Sequence, residues 1–180
     1  MATGAEPVPE QPEVRTYSSA ILDFALAAAA TDVWTITGAA GVVVRVLRMG
    51  FSGESTAGTL QDIQLVKRST GNIAGTATAT AIIPHDPNDG AGAATVRAYT
   101  ANPGTLGTIL GPIRAWKVLT PTAAPPSAGG GLIEGQIDYA VLAKAPILRG
   151  TGHVLAVSFN GAVSAGTRLA AWVEWTEATF

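Results

Sequence analysis

Side chains alternate along Asp32-Val-Trp-Thr-Ile-Thr-Gly38, through Ile63 and Leu65 of Leu60-Gln-Asp-Ile-Gln-Leu-Val-Lys67 and along Thr76-Ala-Thr-Ala-Thr-Ala-Ile-Ile83, and Gly38 closes the first run, Arg68-Ser-Thr-Gly-Asn72 the second and Pro84 the third. A period of two puts alternate side chains on opposite faces of an extended strand, whereas a helix needs a period near 3.6. The 21 glycines and 11 prolines punctuate Thr-, Val- and Ala-rich runs in the same way along the chain, which favours strands and turns. We expect about eight to ten short strands, with no helical segments between them to signal a parallel sheet. The fold class that follows is all-β, an antiparallel two-sheet β-sandwich. Within it a jelly roll is preferred over an immunoglobulin-like sandwich, because the strand count is high and the chain has no cysteine.

Hydrophobic residues make up 47% of the 180 positions and charged residues 13%, enough apolar material to fill one core. The expected organisation is an extended arm over Met1 to Thr16 and a single sandwich domain over residues 17–180. In the arm, Pro7, Pro9 and Pro12 alternate with Glu6, Glu10 and Glu13. Proline fixes φ and lacks a donor, so this segment is neither a helix interior nor a central strand. It is either a disordered leader or a tether that gains order on a neighbouring molecule, with Pro7, Pro9, Pro12, Val14 and Arg15 as its contact positions. Residues Pro121 to Gly131 hold three prolines and three consecutive glycines without apolar periodicity, and are expected to form a long mobile loop.

Several strands carry specific expectations. Tyr17 to Phe24 forms the first, and the Ala-rich Ala25 to Thr31 has room for a helical turn. Asp32 to Thr37 is half-buried, with Trp34 and Ile36 on the face opposite Val33, Thr35 and Thr37. In Val42 to Phe51, regular pairing puts Arg45 and Arg48 on opposite faces, a conflict that a bulge near Gly50 removes. Gly111 to Leu119 directs Ile113, Ala115, Lys117 and Leu119 to one side. The last two runs, His153 to Asn160 and Thr167 to Trp175, pair as a hairpin across Gly161 to Gly166.

Composition and motif spacing remove most chemical functions from consideration. The formal net charge is -2 and Lys and Arg are scattered singly, so no basic stripe faces nucleic acid. Ala20 to Ala30 is interrupted by Asp23 and is shorter than the roughly 20 residues that span a bilayer, and no membrane segment is expected. The first residues carry acids and prolines where a Sec signal carries positive charge. His85 and His153 have no ligand partner at useful spacing, and Asp86-Pro-Asn-Asp-Gly90 lacks the calcium-loop register. No nucleophile elbow is present, and the pairs Glu174/Glu177 and Asp23/Asp32 match no catalytic spacing. No catalytic residue, cofactor or metal is therefore expected. Trp172 and Trp175 face opposite sides of a regular strand, so one serves the core and the other a contact; Trp116 and Trp175 are the candidate interface aromatics.

The phrases Asp32-Val-Trp-Thr-Ile-Thr-Gly38, Val44-Arg-Val-Leu-Arg-Met-Gly50, Leu65-Val-Lys-Arg-Ser-Thr70, Thr95-Val-Arg-Ala-Tyr-Thr-Ala-Asn-Pro103, Ile147-Leu-Arg-Gly150 and Val173-Glu-Trp-Thr-Glu177 resemble a group of tailed-bacteriophage and prophage virion proteins over most of Ala20 to Glu177. The resemblance implies a β-sandwich that decorates or cements the outer capsid surface, made in the host cytoplasm and bound to the major capsid protein across subunit junctions. It further implies a homo-oligomer, expected to be a trimer, and it brings no catalytic residues. The arm lies outside it. The competing expectations are a head-fibre or tail module that recognises host glycans through exposed aromatics, and a structural component of the tail or neck.

Overall fold

The computed structural model describes residues 14–55, 59–120, 133–139, 144–161, 163 and 166–179. Every regular element among them is a strand: β1 (Arg15–Ala25), β2 (Asp32–Thr37), β3 (Val42–Glu54), β4 (Thr59–Arg68), β5 (Ala77–Ala79), β6 (Ile83–Pro84), β7 (Thr95–Tyr99), β8 (Ile109–Thr120), β9 (Ile133–Asp138), β10 (Ile147–Arg149), β11 (Val154–Ser158) and β12 (Arg168–Thr179). The Ala-rich link after β1 makes a plain turn instead of a helical one. Arg15 and Thr16, expected in the arm, are the first residues of β1 and pair with Glu177 and Thr176. Pro7, Pro9, Pro12 and the expected loop at 121–131 lie outside the described residues.

The strands form two antiparallel sheets. The first runs β10-β3-β12-β1-β6, with β9 beside β3 further along the same edge, and the second runs β5-β7-β2-β11-β4-β8. The pairing is nested: β1 with β12, β2 with β11, β3 with β9 and β10, β4 with β8. First-with-last nesting split between two facing sheets is the jelly-roll order. The connection from β4 to β8 supplies β5, β6 and β7, which widen both sheets beyond β1 and β2. The regular run Thr76 to Ile83 is therefore divided between sheets, β5 joining β7 and β6 joining β1.

The expected hairpin of the last two strands does not form. β11 sits between β2 and β4, whereas β12 sits between β3 and β1, so the link between them crosses from one sheet to the other. Alternation fixes which face of a strand is buried but leaves its partner open. All five residues of β11 are buried, which suits a central strand covered on both faces.

Between the sheets, Trp34, Ile36, Ile63, Leu65, Leu155 and Val157 meet Tyr17, Val44, Val46, Phe51, Val173 and Trp175. Burying one such side chain contributes about 1.5–3 kcal/mol, so this layer dominates the fold's stability. Two bulges keep it apolar. On β3, Glu174 faces Arg48 while Trp175 faces Val46, which leaves Leu47 as the extra residue. Val44 and Val46 and then Met49 and Phe51 thus all turn inward, and the conflict between Arg45 and Arg48 disappears. The bulge lies at Leu47 and not near Gly50, because Gly50 is needed in regular pairing beneath Trp172, whose indole lies 2.6 Å from where a Cβ would stand. On β1, Leu22 and Asp23 together oppose Ala170, which turns Phe24 inward against Trp34. In β8 the side shared by Ala115 and Lys117 is the outer one. Trp116 faces Ile63 and Arg114 faces Leu65, whereas Lys117 pairs with Asp62 on the outside at 2.6 Å. A register shift beside Ile113 separates that residue from the alternation of Ala115 and Lys117; the Leu119 side chain lies outside the described ones.

The outer face of the second sheet is covered as well. Residues 69–76 leave β4 at Arg68, level with Val154 and Thr37, and enter β5 at Ala77, beside Tyr99 at the opposite end of β2. Residues 100–108 run back alongside. The two segments hydrogen-bond as a strap: Ser69 N–H donates to Thr108 O (2.9 Å), Ile73 and Thr105 exchange bonds (2.9 and 3.1 Å), and Thr100 N–H donates to Thr76 O (3.0 Å). Gly107 packs so closely that a Cβ would lie 1.8 Å from the Thr70 carbonyl oxygen. β2 is consequently buried on both faces, where a half-buried strand was expected.

Candidate functional site

Of the two expected interface aromatics, Trp175 is in the core and fully buried. It shares the inward parity of Leu169, Ala171 and Val173, stacks on Tyr17 with ring centroids 5.9 Å apart, and donates its indole N–H to Glu177 Oε1 at 2.9 Å. Trp172, on the outward parity, is the half-buried one of the pair. Trp116 is also half-buried, its ring set edge-on against Phe51 at 5.7 Å. Trp175 therefore presents no face to a partner, whereas Trp116 keeps part of its surface open beside a cavity that Asp62, Lys117 and Asn160 also line.

Glu177 is a buried carboxylate beside a cavity of about 320 Å³ that Arg15 and Tyr17 also line. Its oxygens are committed: Oε1 accepts from Ala93 N–H (3.1 Å), Ala94 N–H (2.9 Å) and the Trp175 indole, and Oε2 accepts from Ala93 N–H (2.8 Å). A carboxylate that accepts from three donors in this way anchors the loop that carries Ala93 and Ala94. The Tyr17 hydroxyl donates to Gly90 O at 3.1 Å, and burial together with the Glu177 charge raises the phenol above its ordinary pKa. Arg15 closes the loop from outside at 3.4 Å from Asp89, and Val14 is exposed.

A second buried group of charges lies under the strap. The Arg68 guanidinium grips Asp32 with two bonds (2.7 and 2.8 Å) and donates a third to Gly107 O (2.8 Å). Asn72 donates to Asp32 (2.8 Å) and accepts from Gly107 N–H (2.9 Å). Both strap segments are thus tied to the sheet through one bidentate pair, the strongest geometry open to arginine. Residues 36 apart in sequence make this contact, and no short motif announces it.

The most exposed large apolar side chain among the described residues is Leu22, at 86%. It stands on the β1 bulge, next to Asp23 at φ +63°, a left-handed conformation uncommon for any residue but glycine. The Arg168 guanidinium forks onto both Asp23 oxygens and braces the bulge. Beside it a shallow, mainly apolar groove of about 310 Å³ runs along Ser52, Gly53, Leu169 and Ala170. The Arg168 hydrogen bonds hold the Asp23 carboxyl below the ordinary carboxylate range. The brace is therefore complete above the unfolded-state pKa of about 3.9 and is lost as pH falls through the lower folded value. Carbon-detected NMR titration should place Asp23 below its ordinary value and return it to about 3.9 in Arg168→Gln; an Asp23 pKa that does not move contradicts the brace.

Among the described residues, no group of three or more His, Asp or Glu side chains is placed to hold a metal ion. His153 Nδ1 accepts from Arg149 N–H at 3.2 Å, and His85 is exposed. The Asp86 carboxylate accepts from Asn88 N–H at 2.8 Å and so caps its own turn. Comparisons with protein-family models, curated proteins and solved structures find no match to this chain.

Proposed function

We propose that this protein is a structural component of a tailed-phage particle, a capsid decoration or cement protein that joins neighbouring major capsid protein subunits on the outer shell, itself a homotrimer. The sequence resemblance supports this reading, and so does a two-sheet body whose buried charges, Glu177 and the Arg68–Asp32 pair, pin loops. The observation that carries it is Leu22, an apolar side chain displayed on a strained and braced bulge beside an apolar groove. Local strain and an exposed apolar group both cost free energy in the free protein and persist where a partner makes use of them. Many such contacts on a symmetric lattice reach high avidity from modest single affinities, with the residues before Val14 serving as a tether. Bridged capsomers then tolerate more internal pressure before they separate.

The test is binding of purified protein to undecorated shells. Leu22→Asp should weaken shell binding at least tenfold and abolish the rise in rupture temperature, while shifting stability by no more than about 0.5 kcal/mol, as expected at an exposed site. Shells that bind and are strengthened by the variant as by the parent would count against the proposal.

A further inference from the structure

The strap leaves one part of the second sheet open. Where Thr37 lies level with Thr95 and Val154, the strap's Gly71 and Asn72 and the turn at Thr151 frame a cavity of about 190 Å³. Its floor is made by outward side chains of β2 and β7: Thr35, Thr37, Thr95, Arg97 and Tyr99. Thr35 is 1% exposed and Tyr99 5%, and neither hydroxyl has a hydrogen-bond partner among the described residues. The hydroxyls of Thr37, Thr95 and Thr151 are likewise unpartnered there. Interior orphans such as Thr31 Oγ1 and Trp34 Nε1 are sealed from solvent, whereas these five belong to residues that line an accessible space. Thr35 and Tyr99 are buried, Thr37 and Thr95 half-buried and Thr151 exposed, so their hydroxyls are satisfied by whatever occupies that space.

The charge pattern narrows the occupant. Arg97, an exposed residue, faces Thr35 across the β2–β7 pair; among the described residues it makes no ion pair and no carboxylate lines the cavity. One rim residue is already fixed, since the Asn72 amide is held by Asp32 and Gly107, and such pre-organisation lowers the entropy cost of binding. One cation, several hydroxyls and one aromatic ring, spread over two strands and the turn at Thr151, match a ligand that carries a single negative charge among several hydroxyls. The cavity is smaller than the roughly 300–1,000 Å³ of drug-sized sites, which limits the occupant to about one ring.

We infer that this cavity is a binding site for one acidic sugar residue of the uronic-acid type, its carboxylate on Arg97 and its ring hydroxyls on the threonines. An inorganic oxyanion would leave most of the hydroxyls unused, and a neutral sugar would leave Arg97 without a counter-charge. The site is independent of the proposed capsid role.

The experiment is NMR titration of the intact protein with glucuronate, glucose and inorganic phosphate. Saturable glucuronate binding is expected, mapped to Thr35, Thr37, Thr95 and Arg97, with glucose and phosphate each at least tenfold weaker. Arg97→Gln should weaken glucuronate at least tenfold and Thr35→Val several-fold, with both variants melting as the parent does; Arg97→Lys, which keeps the charge but loses the fork, should fall between. No saturable glucuronate binding, equal binding of phosphate or glucose, or glucuronate binding unchanged in Arg97→Gln would each overturn the assignment.

Discussion

Asp32→Ala is expected to lower the unfolding free energy by about 3–5 kcal/mol, the cost of leaving a buried guanidinium without its counter-charge. Arg68 is held in place by its other bond to Gly107 and lies beneath the strap, so it has little freedom to reach water once Asp32 is gone. The damage should spread along a defined path. Asn72 loses its acceptor, the strap segments at 69–76 and 100–108 loosen, and the buried outer face of β2 becomes accessible. Urea unfolding at neutral pH measures the loss, and amide exchange should place the newly unprotected sites in the strap. Asp32→Ala combined with Arg68→Met should recover much of the deficit, since removing both charges removes the uncompensated one. A single-variant loss below about 1 kcal/mol would mean that the pair is hydrated and not buried as described.

Trp175→Ala should cost a similar amount, about 3–5 kcal/mol, from lost transfer energy and the cavity left beside Tyr17. The same substitution strips Glu177 of its indole donor and so loosens the turn held by Ala93 and Ala94. Trp172→Ala is the control. Its ring lies over Gly50 on the outer face, and its removal should cost roughly 1 kcal/mol or less. Parallel denaturant curves separate the two, and equal losses would contradict the assignment of Trp175 to the core and Trp172 to the surface.

Trp175 is a candidate interface aromatic by sequence, yet the parity of its neighbours already points inward: Leu169, Ala171 and Val173 share the parity of Trp175, while Arg168, Glu174 and Thr176 share that of Trp172. Alternation likewise identifies the strand class and most strand positions, since burial of one face imposes a period of two whatever the partner. The pairing of β11 and β12 is not legible, because two strands with correct inner faces fit either one sheet or two facing ones. Bulges are legible as conflicts, Arg45 against Arg48, but not as positions: only the packing of Trp172 on Gly50 explains why the extra residue is Leu47. Asp32, Arg68 and the unpartnered Thr35 carry no such signal, because the strap that buries them comes from two loops with no apolar pattern. Leu22 carries a faint one, since Phe24 is off parity with Tyr17 and Ile21 and regular pairing would have exposed it.

The functional account rests on the body of this sandwich meeting other proteins at fixed places on a shell. Electron microscopy of particles assembled with and without the chain tests that claim. Regular external density at symmetry-equivalent junctions of capsid subunits, with Leu22 facing the shell, is the predicted result. Identical outer surfaces in the two preparations, or density confined to the tail, would contradict it.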